Sequence, residues 1–501
     1  MNLERNLGVR ESPLSGTLVL LFALIGSLPA AAASPSTQSC PHISTKAWKL
    51  APAQFDDGPM ITQTELVADF DAWMSGMRAL NPDLSIRSDM QQLSQEADRI
   101  RADLTRPMSR RQAWIHFARL NPYLRDGHAG VQMPHYREAL EKHLKAGGHI
   151  VPIEVRFAED GTLRVFTVAP GADAIKPGDR VVSINAHSAK DMVDTMLSLS
   201  IGDTPEFQHA FLERRFAMLF WNLYGDTGEY DVVVEAAETR CPTRVRATGG
   251  STLPEALQSQ PTAQELFDWR VLPGNIGYLR VDGFDGDLKD DLAKLTQAAF
   301  AAFKARDVRA LIIDVRENGG GDDPLWQQDL VDHFTSKPYA QLSHYVTRVT
   351  KANADPGDVI GAVQSADYAK RFTPPAVDPI RFSGPVYILD GPYSYSATIQ
   401  FIVAAQDFGL AKIAGEETAA LSCQTGQVQR IDLPTTGLSA TTPITAYTRP
   451  SGQGCRRGVI PDVPIAINEV RPDESLNSLL NWIGANDLPL ESMRANPSAP
   501  Y

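Results

Sequence analysis

The sequence predicts a multidomain α/β protein with an N-terminal helical domain, a β-rich middle domain and a C-terminal domain in which strands alternate with helices. Three observations predict it. Residues 62–146 carry apolar side chains at three- and four-residue spacing, as in LVADFDAWMSGMRAL and RRQAWIHFARL. From His149 to Ala236 the chain turns to short strand-like runs, HIVPIEVRF, LRVFTVA and YDVVVEA. From about Ala263 the order is NIGYLRV, a helix over Leu288 to Ala305, ALIIDV, a helix after Pro324, PVYILD, a helix opening at Ser396, and AKIAG, which is the pattern of a layered α/β domain. A chain of 501 residues, 43% of them hydrophobic, has enough material for about three such units. Its net charge of -13 argues against nucleic acid or an anionic membrane surface as partner.

In chain order, residues 1–33 read as a signal peptide, with Arg5 and Arg10 ahead of an apolar run from Leu18 to Leu28 and small residues Ala31, Ala32 and Ala33 for cleavage. That run is shorter than the roughly 20 residues a membrane span needs, so the expectation is an exported chain, periplasmic or extracellular, with no stable membrane span in the mature chain; the lesser alternative is a retained N-terminal anchor. A leader segment, 34–61, precedes the helical domain, 62–146. This domain closes on LNPYLRDGHAGVQMP, where Asn121, Pro122 and Gly127 break the helix and leave His128 in a turn before a short strand. A lone loop histidine is more often solvated surface than catalytic, and both readings stay open on these residues alone. The β-rich domain takes 147–237, a Thr-, Ser-, Gly- and Pro-containing linker 238–262, the α/β domain 263–485 and a tail 486–501. Within the α/β domain, Ser343 to Pro375 reads as a long polar lid or substrate-facing loop. Four cysteines in an oxidising compartment suggest disulfides. Of the three possible connectivities, Cys423 with Cys455 is favoured, because both fall in loops near the end of the α/β domain. No cysteine pair has zinc-ligand spacing, and neither metal nor cofactor is expected.

The stretch that carries chemistry is Pro385 to Gly415. Val386 to Leu389 is an apolar strand, Gly391 and Pro392 end it, and Ala397, Phe401, Ala404, Ala405 and Phe408 follow helical spacing until Gly409. Ser396 therefore stands at a helix N-terminus, where unpaired N–H groups and the helix dipole stabilise the oxyanion formed when a serine attacks a carbonyl. The alternative is that Ser394 or Ser396 only caps the helix. A second strand, ALIIDVRENGGG from Ala310 to Gly321, ends in three glycines that let backbone approach a substrate closely. The N–H groups of Gly320 and Ala397 are the expected oxyanion donors, with Gly319 and Gly321 facing the substrate.

DVRENGGG, then YSYSATIQFIVAAQDFG followed by GEET, then GVIPDVPI at Gly458 to Ile465, resemble the motifs of the tail-specific (C-terminal-processing) serine protease family, whose serine stands where Ser396 stands. The resemblance implies a crotonase-like (ββα-spiral) serine protease domain. Family members with a Ser/Lys dyad carry the lysine in a segment that here reads GEETAALSCQTGQVQ, with Thr425 nearest that position, and no lysine follows Lys412. DGHA instead resembles the histidine-bearing element of the tricorn-like branch, which makes His128 the base. Its orienting acid is open among Glu416, Glu417 and Asp462, with Asp126 ranked behind them as a sequence neighbour. Ile175 to Asn185 resembles a PDZ domain, with PGDRVVSIN as turn and strand and the helix after Ala189 flanking a groove for an extended peptide. The implied function is an exported serine endopeptidase acting on polypeptides. The alternative is a catalytically silent peptide-binding protein on the same scaffold.

Overall fold

A computed structural model of the chain describes residues 40, 43–53, 57–236, 241–254, 257 and 262–486. The signal-type segment 1–33 and the tail beyond Asn486 fall outside the described residues.

The N-terminal helices form where the apolar spacing predicts them, over Gln63–Leu80, Met90–Asp103, Arg110–Ala118 and Tyr136–Lys145. Two of them open on capping boxes, Thr62 with Glu65 and Ser109 with Gln112, which satisfy N–H groups the helix itself cannot. Leu66, Phe70, Trp73 and Met77 bury one stripe of the first helix. Trp73 stacks on Phe117 with ring centroids 6.2 Å apart. The same core continues into Val155, Val165, Val181 and Val232 of the next sheet and into Ile431, Leu433 and Leu438 from late in the chain.

That next sheet is antiparallel, ordered Ile153–Phe157, Leu163–Val168, Arg180–Ile184, Glu229–Glu235, Thr243–Thr248, with His187–Ser188 pairing Arg180–Ile184. Thr243–Thr248 lies inside the stretch expected to be a linker. Its polar TRVRAT sequence forms an edge strand on Glu229–Glu235, where exposed side chains cost nothing. After the helix Ala189–Leu197, two further helices, Pro205–Glu213 and Phe216–Tyr224, are inserted before the sheet resumes. All nine residues of the second are buried, which accounts for its apolar sequence.

The C-terminal sheet runs Val463–Pro464, Lys412–Gly415, Val386–Leu389, Ala310–Asp314, Ile276–Val281, Phe267–Leu272, parallel throughout except for the last strand. Its central strand, ALIID, is buried at every position, the mark of a parallel strand covered on both faces. Leu311 and Ile313 face the core built with the helix Lys289–Ala305 and with Phe401 of the helix Ala397–Asp407. Ala310 and Ile312 face Leu476, Leu479 and Ile483 of the helix Pro472–Asn486. The carboxyl ends of Ala310–Asp314 and Val386–Leu389 lie side by side, which brings the glycine turn and Ser396 to one edge.

A third sheet ties the ends of the molecule together. Ser439–Thr448 pairs with Thr425–Ile431, with Gly130–Gln132 and with His344–Arg348, which in turn pairs with Val363–Asp367. The last two strands lie within Ser343 to Pro375, so that segment contributes a hairpin to a sheet rather than a structureless lid. HYVTR and VQSAD are mostly polar and, Thr347 apart, at best half-buried, and such a hairpin reads as a polar loop by composition. Cys423 and Cys455 are bonded, with Cα atoms 4.7 Å apart. Among the described residues no cysteine is free and no helix is long and apolar enough to cross a membrane.

Candidate active site

Ser396 immediately precedes the helix Ala397–Asp407 with φ 54° and ψ −121°. A non-glycine residue held there costs about 1–3 kcal/mol and persists only where its surroundings over-determine it. Here they do. Ser394 Oγ donates to Val315 O at 2.8 Å and accepts from Gly391 N at 3.2 Å, and the Tyr395 N–H donates to Asn318 O at 3.2 Å. Of the two serines, Ser394 braces the turn. Ser396 makes no capping bond to the helix, and its Oγ lies 3.0 Å from His128 Nε2.

His128 reaches this point on the turn between Asn121–Leu124 and Gly130–Gln132. Its N–H donates to Asp126 Oδ1 at 2.8 Å, which winds the turn tightly. Its Nδ1 faces two hydroxyls, Thr425 Oγ1 at 3.0 Å and Tyr395 Oη at 3.2 Å. Thr425 donates to Asp126 Oδ1 at 2.9 Å, and Tyr395 donates to Asp203 Oδ1 at 2.9 Å. Burial pushes the His128 pKa below the ordinary histidine value, against the pull of Asp126 and Asp203 and with the help of Arg87. Burial pushes the Tyr395 phenol well up, and the two carboxylates act in the same direction, so it keeps its proton. Burial also raises the Asp126 carboxyl, with Arg87 opposing and Asp203 adding.

The acids expected to orient His128 are engaged elsewhere. Glu416 accepts from Ile467 N, Glu417 pairs with Arg457 and Gly458 N, and Asp462 accepts from Ile413 N. Asp126, ranked last, lies 3.7 Å from Nδ1, because a residue two positions away in a tight turn can fold back where an extended neighbour cannot. Asp203, Tyr395 and Arg87 were not anticipated. Tyr395 could have been flagged by its position beside the serine, whereas nothing local marks the other two.

The glycine turn touches Ser396 directly. A Cβ on Gly320, whose φ is +105°, would lie 2.7 Å from Ser396 Cβ, and one on Gly321 would lie 2.0 Å from Phe284 O. Only glycine fits either position. The Gly320 N–H, one of the two expected oxyanion donors, donates to Asn318 Oδ1 at 2.9 Å. Thr398 Oγ1 donates to the same oxygen at 2.6 Å, and Asn318 Nδ2 donates to Val281 O at 3.1 Å, so a fixed local acceptor takes the amide. Gly319, Gly320 and Gly321 line a cavity of about 870 Å³ that extends past Tyr393 to Arg156 and Phe166 of the antiparallel sheet. Among the described residues no group of three or more His, Cys, Asp or Glu side chains is placed to hold a metal ion.

The sequence model of peptidase family S41 matches residues 275–465. In fold the chain is similar to the crystal structure of mature CPAF, at TM-score 0.60 and 16% identity over 87% of this chain and 99% of that one. It is also similar to mature CPAF complexed with lactacystin, at 0.61 and 15% over 84% and 97%. The photosystem II D1 C-terminal processing protease aligns at 0.45 and 19% over 85% and 99%. With a strained serine turn beside a glycine turn in the segment that the S41 model matches, residues 275–465 carry a domain of peptidase family S41, to which the tail-specific proteases are similar, and the chain is a serine-type peptidase.

Proposed function

We propose that the protein is an exported endopeptidase that hydrolyses polypeptides through an acyl-enzyme, with Ser396 as nucleophile and His128 as general base. The observation that carries this reading is the 3.0 Å contact between His128 Nε2 and a Ser396 Oγ that caps no helix. Ser396 Oγ attacks the scissile carbonyl carbon while its proton passes to Nε2. The resulting oxyanion faces the Ala397 N–H at the head of the helix, and the Gly320 N–H joins it by leaving Asn318 Oδ1. The intermediate collapses with cleavage of the C–N bond, and the imidazolium returns its proton to the departing amine. Water then repeats the sequence on the ester, giving its proton to Nε2 and freeing Ser396. Asp126, through Thr425 Oγ1, balances the charge that develops on the ring. The antiparallel sheet, read as PDZ-like, offers an edge to which an extended peptide can add. Export is supported by the signal-type segment 1–33 and the Cys423–Cys455 bond.

The test is labelling by a serine-reactive fluorophosphonate. Labelling of the wild type at Ser396, with hydrolysis of unfolded protein, is the expected result. An intact fold that neither labels nor cleaves favours the silent-scaffold alternative.

A further inference from the structure

We propose that Asp203 is a positioning residue of this reaction, acting on His128 through the Tyr395 phenol so that Nδ1 must carry the ring proton and Nε2 is left free to accept from Ser396. The inference rests on the roles proposed above for Ser396 and His128.

Asp203 lies between the helices Ala189–Leu197 and Pro205–Glu213, and its side chain is completely buried. Such a carboxylate is costly unless donors surround it. Oδ1 accepts from Tyr395 Oη at 2.9 Å and from Gly127 N at 3.0 Å, and Oδ2 accepts from Leu421 N at 3.3 Å and Gln424 Nε2 at 3.5 Å. Arg87 Nη2 stands 3.9 Å from Oδ2. One side chain thus fastens the histidine turn, the serine turn and the loop that leads into Thr425.

Counting protons shows what this does at the ring. A phenol has one hydrogen, and Tyr395 gives it to Asp203, so towards His128 its oxygen can only accept. Thr425 gives its one hydrogen to Asp126 and is in the same position. Nδ1 therefore faces two oxygens with no hydrogen to offer, and the favourable state is Nδ1–H donating into them. That leaves the Nε2 lone pair towards the Ser396 hydroxyl, the arrangement proton transfer needs. The charged and titratable groups facing the ring are Asp126, Asp203, Arg87 and Tyr395.

The experiment uses the full chain with ¹⁵N-labelled histidine. Wild type above its acid limb should show His128 protonated at Nδ1 and bare at Nε2. The double variant Tyr395→Phe with Thr425→Val should show a mixture of tautomers. Asp203→Asn should lower kcat with little change in KM and move the acid limb of kcat/KM to lower pH, because removing a carboxylate disfavours the imidazolium. Because a buried substitution at 203 endangers the fold, Tyr395→Phe, which keeps the ring stacked on Phe207, is measured alongside it. It should lower kcat by about 10- to 100-fold, part of what general-base catalysis contributes. An unchanged tautomer in the double variant overturns the proposal. So does a loss of rate in Asp203→Asn that merely tracks the fraction of fluorophosphonate-titratable sites with an unmoved limb. Turnover that survives Ser396→Ala defeats instead the underlying roles, and the tautomer, read without turnover, keeps the two failures apart.

Discussion

His128 Nε2 lies 3.0 Å from Ser396 Oγ although 268 residues separate them in the chain. If they act as one unit, His128→Ala and Ser396→Ala should each lower kcat by several orders of magnitude, about 10⁴-fold or more, and the double variant should be little worse than either. Purified single and double variants assayed on an unfolded protein substrate check this.

The pH profile follows from the direction of the His128 shift. Burial lowers its pKa, so the ring stays neutral and able to accept a proton below the pH at which an ordinary histidine charges. The acid limb of kcat/KM should therefore have its midpoint below about 6.5. The same group binds a proton more readily in the unfolded chain than in the folded one. It should accordingly erode stability as pH falls below about 6.5, which denaturant titrations at several pH values measure.

Ser396 combines a demanding backbone with an indispensable side chain. At φ 54°, Ser396→Gly should abolish turnover while stabilising the fold by about 1 kcal/mol, since glycine adopts that conformation freely. Ser396→Ala should abolish turnover without that gain. Equal melting temperatures for the two variants would remove the argument from strain.

Gly320→Ala should be nearly inactive, because the added methyl group meets Ser396 Cβ at 2.7 Å and Tyr395 O at 2.9 Å on a backbone with φ +105°. Fluorophosphonate labelling should fall along with kcat.

The Cys423–Cys455 bond closes a loop with a sequence separation of 32. On the chain-entropy account its removal should cost about 3–4 kcal/mol. Because Thr425 stands two residues from Cys423, turnover should also drop in the Cys423→Ser, Cys455→Ser variant at temperatures where it remains folded. Melting curves and kcat values for the oxidised wild type and this variant decide it.

The legible parts of the sequence were those with a local physical cause. ALIID and VYIL are near-continuous apolar runs because both sheet faces are covered, and NGGG marks a place where backbone must approach closely. Thr243–Thr248 and the hairpin of His344–Arg348 with Val363–Asp367 were hidden by polar composition, since edge and half-exposed strands need little apolar content. The choice of acid near His128 failed for a different reason. Asp126 and Asp203 act across hydroxyls from Thr425 and Tyr395, 299 and 192 residues away, and no periodicity within a window reports such contacts.

The strand that leaves His128 has consequences for when the enzyme comes into being. Gly130 pairs with Thr441, 311 residues later (441 − 130), and so Gly130–Gln132 finds its place in a sheet only after almost everything else has been synthesised. A nascent chain emerges from its N-terminus and folds as it appears. One that has already exposed His128, and even Ser396, still lacks the strand that holds the histidine's turn in register. Any product that ends before Ser439–Thr448 therefore lacks the partner strand on which the histidine's turn is held, whatever else it has folded.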